Sequence, residues 1–134
     1  MSILRNTLIL MLSLQAVSAA AVDGTSYQRD LLLAARAADS KFVADAARGA
    51  AWFADTHGSD WSCSSCHTVD PRKAGKHATT GKVISALAPA ITPTRFTDAA
   101  KSDKWFRRNC NDVVGRECSA AERADVMAFL LNAK

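Results

Sequence analysis

Cys63-Ser64-Ser65-Cys66-His67 is the stretch on which the reading of this chain turns. Two cysteines spaced by two residues and followed at once by histidine form the attachment signature of a c-type haem. Each thiol can add across a vinyl group of the porphyrin, and the spacing lets both reach one ring edge from a single helical turn. The imidazole of His67 then falls under the iron as its proximal ligand. Two other chemistries use Cys-x-x-Cys. A thioredoxin-like dithiol wants a βαβ surround, which the pattern here lacks. A zinc site wants a second close pair, and Cys110 and Cys118 are eight positions apart.

The flanking chain suits haem attachment. Residues 1–21 read as a secretory signal peptide: Arg5, then an apolar run from Leu8 to Leu12, then small residues from Ala16 to Ala21 with cleavage expected near residues 19–21. The apolar run is too short to span a bilayer comfortably. Residues 22–134 form the single expected domain of the 134-residue chain, placed in the periplasm. That compartment is where haem is attached to such proteins, and it permits disulfides. Two cysteines for the haem leave two for one possible bridge. Of 17 Lys and Arg, one lies in the leader, and 13 acidic residues follow it, so the mature charge is +3. A mild basic balance favours docking to an acidic redox partner and gives no case for nucleic acid.

Helical spacing dominates the rest. Thr25 to about Arg36 carries Tyr27, Leu31, Leu32 and Ala35 on one face. A second helix is expected from about Phe42 to Ala54, with Val43, Ala46, Ala47, Ala50 and Phe53 in phase. Gly49 inside it is either a point of close helix approach or a tolerated weak spot. The segment from His67 to about Phe96 is irregular, broken by Pro71, Pro89 and Pro93. A loop that long needs a reason. Wrapping a porphyrin edge supplies one, with Ile84, Leu87, Ala88 and Ile91 as contacts. Thr97-Asp98 caps a helix to about Asn111. Ser119 and Glu122 form a capping box for a last helix to about Asn132, striped by Ala124, Met127, Ala128 and Leu131. No alternating strand pattern and no internal repeat is evident, so the class is all-α.

The sixth iron position is the open question. Met opposite His is common in electron-transfer cytochromes. Met127 is the one methionine of the mature chain, and it lies in an apolar helical stripe, where a core role fits better. His57 precedes the motif by too few residues to cross the ring. His77, beside Lys73 and Lys76, reads as solvent-exposed, yet imidazole binds iron far better than an amide does. Read from spacing alone, Asn109 is a residue near a helix end. Arg107 and Arg108 beside it are solvated, or one of them meets a haem propionate or steadies a bound anionic oxygen species. Trp105 reads as a core or haem-packing residue.

Three stretches resemble a known family, the sphaeroides haem proteins. They are Thr80-Gly81-Lys82-Val83-Ile84-Ser85-Ala86-Leu87-Ala88-Pro89, Thr92-Pro93-Thr94-Arg95-Phe96-Thr97-Asp98, and Arg108-Asn109-Cys110-Asn111-Asp112-Val113-Val114-Gly115-Arg116-Glu117-Cys118. The likeness runs from about Asp45 to the end. The related cytochrome c-double-prime is similar, with His where this chain has Asn109. The resemblance implies a class I cytochrome c fold with an extra N-terminal helix. It implies one covalent haem c on Cys63 and Cys66, with His67 as the fixed iron ligand. Asn109 becomes the labile distal ligand, released on reduction, and Cys110–Cys118 a disulfide. A dihaem cytochrome c or a membrane cytochrome b is the implied electron donor, and O2 or NO the implied ligand. An amide oxygen is a weak, hard donor that ferric iron holds better than ferrous iron does. Differential affinity of that kind is what a switch requires.

Three functions compete on this reading. The first is an electron-accepting cytochrome that binds a small ligand once reduced. The second is a haem enzyme acting on oxygen, nitric oxide or peroxide; whether the protein is an enzyme stays open, since a fold does not carry an activity. The third is a plain electron shuttle with His77 as a permanent ligand.

Overall fold

The computed structural model describes residues 23–134, so the expected leader at residues 1–21 lies outside the described residues. Among them, helices α1 (Gly24–Ala38), α2 (Ala46–Ala54), α3 (Cys63–His67), α4 (Ala99–Val114) and α5 (Ala120–Asn132) carry the architecture. The expected all-α class stands. The long connection between α3 and α4 is not wholly irregular, however. It holds a two-residue antiparallel ladder, β1 (Gly75–Lys76) with β2 (Val83–Ile84), pairing Gly75 with Ile84 and Lys76 with Val83. Two residues per strand are too few for an alternating pattern to show in sequence.

Each long helix starts where a side chain can satisfy its free N–H groups. Asp23 Oδ1 accepts from Thr25 N at 3.1 Å and from Ser26 N at 2.9 Å. Asp98 Oδ1 accepts from Lys101 N at 2.9 Å. Ser119 and Glu122 close the expected reciprocal box at the start of α5. The second helix starts later than its apolar spacing suggests. Asp45 is its cap, taking Arg48 N at 2.7 Å, and Phe42 and Val43 lie in the irregular stretch before it. Val43 is 68% exposed as a result, not on the buried face. The helix before Gly115 runs longer than expected, through Val114. Gly115 adopts φ +73° and ends it in the left-handed conformation that glycine tolerates. Asn111 and Asp112 are ordinary exposed residues of that helix, not its end.

The core is built where α5 lies between α1 and α2. Tyr27, Leu31, Phe53, Ala124, Val126, Met127 and Leu130 form one buried cluster. On α5 the buried set is Ala124, Asp125, Val126, Met127 and Leu130, wider than the expected stripe, because two helices cover it. Ala128 and Leu131 are half-buried. The Tyr27 ring stacks on Phe96 and on Phe106, with centroids 6.4 and 6.3 Å away. Its hydroxyl donates to Asp103 Oδ1 at 2.7 Å, and Arg123 Nη1 donates to the same oxygen at 2.7 Å. Burial, then that neighbouring carboxylate, raises the phenol well above its usual range. These bonds tie α1, α4 and α5.

Between α2 and α5 the backbones touch. A Cβ at Gly49 would stand 2.0 Å from the carbonyl oxygen of Asp125, so Gly49 marks a close approach and not a weak spot. The Asp125 carboxylate, 4% exposed, takes both Nε and Nη2 of Arg48 and the backbone N–H of Asp45 at 2.8 Å. A bidentate guanidinium answers a buried carboxylate that would otherwise be costly. Gly49→Ala should therefore destabilise the protein by about 2 kcal/mol or more through overpacking. Ala47→Gly, on the exposed face of the same helix, should cost about 1 kcal/mol. Thermal melts of the two variants check the order.

Candidate functional site

Ser62 and Ser65 shape α3 before any cofactor is considered. Ser62 Oγ accepts from Ser65 N at 3.2 Å, and Ser65 Oγ accepts from Ser62 N at 3.0 Å. This box winds Cys63, Cys66 and His67 onto one short turn. Thr68 ends it at φ +62°. The preceding loop is anchored to α4, since the Ser59 hydroxyl lies 2.9 Å from the Val113 carbonyl oxygen.

Gly75 holds the far side. A Cβ there would fall 1.9 Å from the carbonyl oxygen of Cys66, so the ladder seats its backbone directly on α3. Ala78 N donates to Cys66 Sγ at 3.3 Å. Nothing in the sequence pattern singles Gly75 out, because its role depends on a contact across the fold.

The chemistry of the turn agrees with its spacing. Cys63 and Cys66 are half-buried and not bonded to each other. Burial pushes the Cys63 thiol up to about 11, the wrong direction for a reactive dithiol. Burial, then the charge of Arg95, lowers His67 to about 4. The imidazole is thus neutral at pH 7, with a lone pair to give. Among the described residues no group of three or more His, Cys, Asp and Glu side chains could hold a metal ion by itself. The donors present are two free thiols and one neutral imidazole on a single turn, which is the set a covalent porphyrin uses. Apolar surface of the kind a porphyrin covers is also exposed in this part of the chain: Val83 is 69%, Ile91 54% and Trp105 48% accessible.

The other expected residues are placed as follows. Ala88 is fully buried, Ile84 and Leu87 are half-buried, and Ile91 is exposed. Met127 is fully buried in the core cluster. His57 packs tilted against the Trp52 ring with centroids 4.4 Å apart, and its Nε2 lies 3.0 Å from the Trp52 carbonyl oxygen. His77 is exposed and works as a turn residue: its Nδ1 accepts from Thr80 N at 3.2 Å, and its backbone bonds Lys82 and Gly81. Asn109 is half-buried in the interior of α4, not at the helix end. Beside it, Cys110 and Cys118 are joined by a disulfide with Cα atoms 5.7 Å apart. Trp105 is not a core residue; the Arg108 guanidinium lies 5.7 Å from its ring centroid. Arg107 pairs with Glu117 at 3.5 Å.

Comparison with known proteins gives this arrangement relatives. A family model described as a domain of unknown function (DUF1924) matches residues 39–130. The cytochrome c-type protein SHP of Cereibacter sphaeroides is 46% identical over 103 residues, covering 74% of this chain and 79% of that protein. This chain belongs to the SHP and cytochrome c″ family. The crystal structure of oxidised SHP, described as an oxygen-binding cytochrome c, superposes with a TM-score of 0.71 at 42% identity, covering 80% of this chain and 94% of that one. Oxidised cytochrome c″ from Methylophilus methylotrophus gives a TM-score of 0.74 at 33% identity, covering 83% and 94%. The chain is a c-type cytochrome, with haem c as its covalent cofactor. The matched family region starts just after α1, which stands as the extra N-terminal helix. No described helix is long and apolar enough to cross a membrane.

The seat of Gly75 on Cys66 gives a test. Gly75→Ala should cost about 1–3 kcal/mol by overpacking and lower the ratio of haem to protein absorbance. Gly81, at φ +68° with open space where a Cβ would go, should cost only about 1–2 kcal/mol when changed to Ala and keep the parent ratio.

Proposed function

We propose that this is an exported, periplasmic monohaem cytochrome that accepts an electron and then binds a small ligand such as O2 or NO. When bound, the haem supplies one-electron chemistry and a sixth coordination position. Cys63 and Cys66 hold it through thioethers, and His67 gives its neutral imidazole as the permanent ligand. Asn109 gives its side-chain oxygen as the labile one. The observation that carries this reading is the burial of Met127. The one methionine among the described residues is sealed in the α1–α2–α5 core, and a weak amide donor is left to serve.

Several features support the roles. Family membership, with a relative described as oxygen-binding, favours ligand binding over a closed shuttle. Asn109 sits on a helix stapled at the next residue. The bridge from Cys110 to Cys118 closes a short loop and contributes about 2–3 kcal/mol by the entropic account. It suits an oxidising compartment. His77 serves its turn through Nδ1, which argues against a permanent iron bond from that residue. The expected electron donor is a dihaem cytochrome c or a membrane cytochrome b.

Two substitutions separate the readings. Asn109→Ala should change the ferric visible spectrum, and His77→Ala should leave it as in the parent. The reduced parent should bind carbon monoxide. A reversal of the two mutant outcomes would make His77 the ligand, and a reduced protein indifferent to carbon monoxide would remove ligand binding altogether.

A further inference from the structure

Charge is unevenly placed along this chain. From Pro71 to Thr97 it carries Arg72, Lys73, Lys76, Lys82 and Arg95 and no Asp or Glu. Residues 22–134 carry +3 in all, so this segment holds +5 and everything else −2. Lys73, Lys76 and Lys82 are exposed and take part in none of the ion pairs among the described residues. Arg72 differs, because Asp70 accepts from its guanidinium at 2.8 and 2.9 Å. A single lysine in water needs no partner. Three on one short ladder, with no acid among them, set up a positive potential over this face alone.

These lysines stand on the piece of chain that covers the haem motif. Lys76 follows Gly75, whose backbone rests on the Cys66 carbonyl, and Ala78 N donates to Cys66 Sγ at 3.3 Å. Lys82 leads into the returning strand, and its carbonyl accepts from His77 N at 2.8 Å. Lys73 follows residues that line an open groove of about 390 Å³, Val69, Pro71, Phe129 and Ala133 among them. Val69 is 75% exposed and lies two residues beyond His67. Phe129 packs on Phe53, with centroids 5.6 Å apart, and the Phe53 ring lies 6.3 Å from that of His67. An apolar spot and a row of unpaired cations therefore meet on the outer side of the motif.

We propose that this face, Lys73, Lys76 and Lys82 beside the groove at Val69, docks an acidic redox protein that gives the cytochrome its electron. This rests on the reading that Cys66 holds the haem and that the protein accepts an electron. One electron leaves the partner, which is oxidised, and the ferric haem becomes ferrous; no bond forms or breaks. Opposite potentials steer the encounter, and the −2 of the remaining surface turns other faces away from an acidic partner. Electron-transfer encounters bury little surface, so three lysines around an apolar spot suffice. An anionic membrane would draw on the same lysines, but surfaces built for one cluster about four to eight cations.

The test measures how fast photoreduced flavodoxin, an acidic one-electron donor, reduces the exported ferric holoprotein as salt is raised. The second-order rate of the parent should fall about tenfold or more from low salt to about 0.5 M. Lys76→Glu combined with Lys82→Glu should lower the low-salt rate about tenfold and meet the parent at high salt. Lys41→Glu combined with Lys101→Glu makes the same change in net charge at exposed positions outside the face, and should stay within about twofold of the parent. Uncharged lumiflavin semiquinone should reduce all three proteins at one rate. A parent rate indifferent to salt overturns the proposal, and so does a control pair slowed as much as the ladder pair. Parent protein that binds phosphatidylglycerol vesicles through Lys76 and Lys82, while flavodoxin reduces parent and ladder variant alike, replaces the redox partner with a membrane surface. Where the ladder pair loses its haem, Lys73→Gln with Lys82→Gln decides: a low-salt rate about threefold below the parent supports the face, and an equal rate overturns it. Failure of the underlying reading shows separately, as parent protein that is exported without colour or that lumiflavin semiquinone does not reduce.

Discussion

Backbone contact between α2 and α5 at Gly49 is the constraint on which the structure rests. No side chain separates the two helices there, and the neighbouring Arg48–Asp125 pair locks the same crossing electrostatically. The order of the chain then does the rest. Phe53, four residues past Gly49, enters the core, and the loop after α2 is short enough that α3 must begin beside it. The Phe53 ring lies 6.3 Å from the His67 ring, so the position of the imidazole is inherited from the helix crossing. Tyr27, Asp103 and Arg123 perform the matching task for α4, which carries Asn109.

The turn that carries the haem motif is wound by polar side chains. Ser62 and Ser65 spend their hydroxyls on each other's backbone and leave the thiols free. His67 is kept neutral by burial and by the charge of Arg95, with no carboxylate accepting from its ring among the described residues. That is a different setting from the carboxylate–histidine pairs that sharpen many metal sites.

Much of this was legible from residue order because it is local. The Cys63-to-His67 turn, the caps at Asp98 and Ser119, and the apolar phase of α1 all lie within a few positions of each other. Met127 was readable as core because its neighbours repeat at helical spacing. What resisted reading depends on distant partners. The start of α2 at Ala46 reflects Asp45, whose backbone and side chain are both claimed, one by Asp125 and one by Arg48. The end of α4 lies at Gly115 because that glycine supplies the left-handed residue, while polar Asn111 and Asp112 look like an earlier stop. Asp125 was missed since an acid in an apolar stripe resembles a surface residue until Arg48 is seen to meet it.

The bond from Ala78 N to Cys66 Sγ and the seat of Gly75 on the Cys66 carbonyl put the ladder over one of the two cysteines proposed to hold the haem. Cys63 is sheltered as well, half-buried against the core cluster. Any machinery that joins a porphyrin to these sulfurs needs them bare and in the open. On the proposed attachment, covalent assembly therefore has an arrow of time: the prosthetic group is sewn on while the polypeptide is still slack, and the ladder shuts behind it.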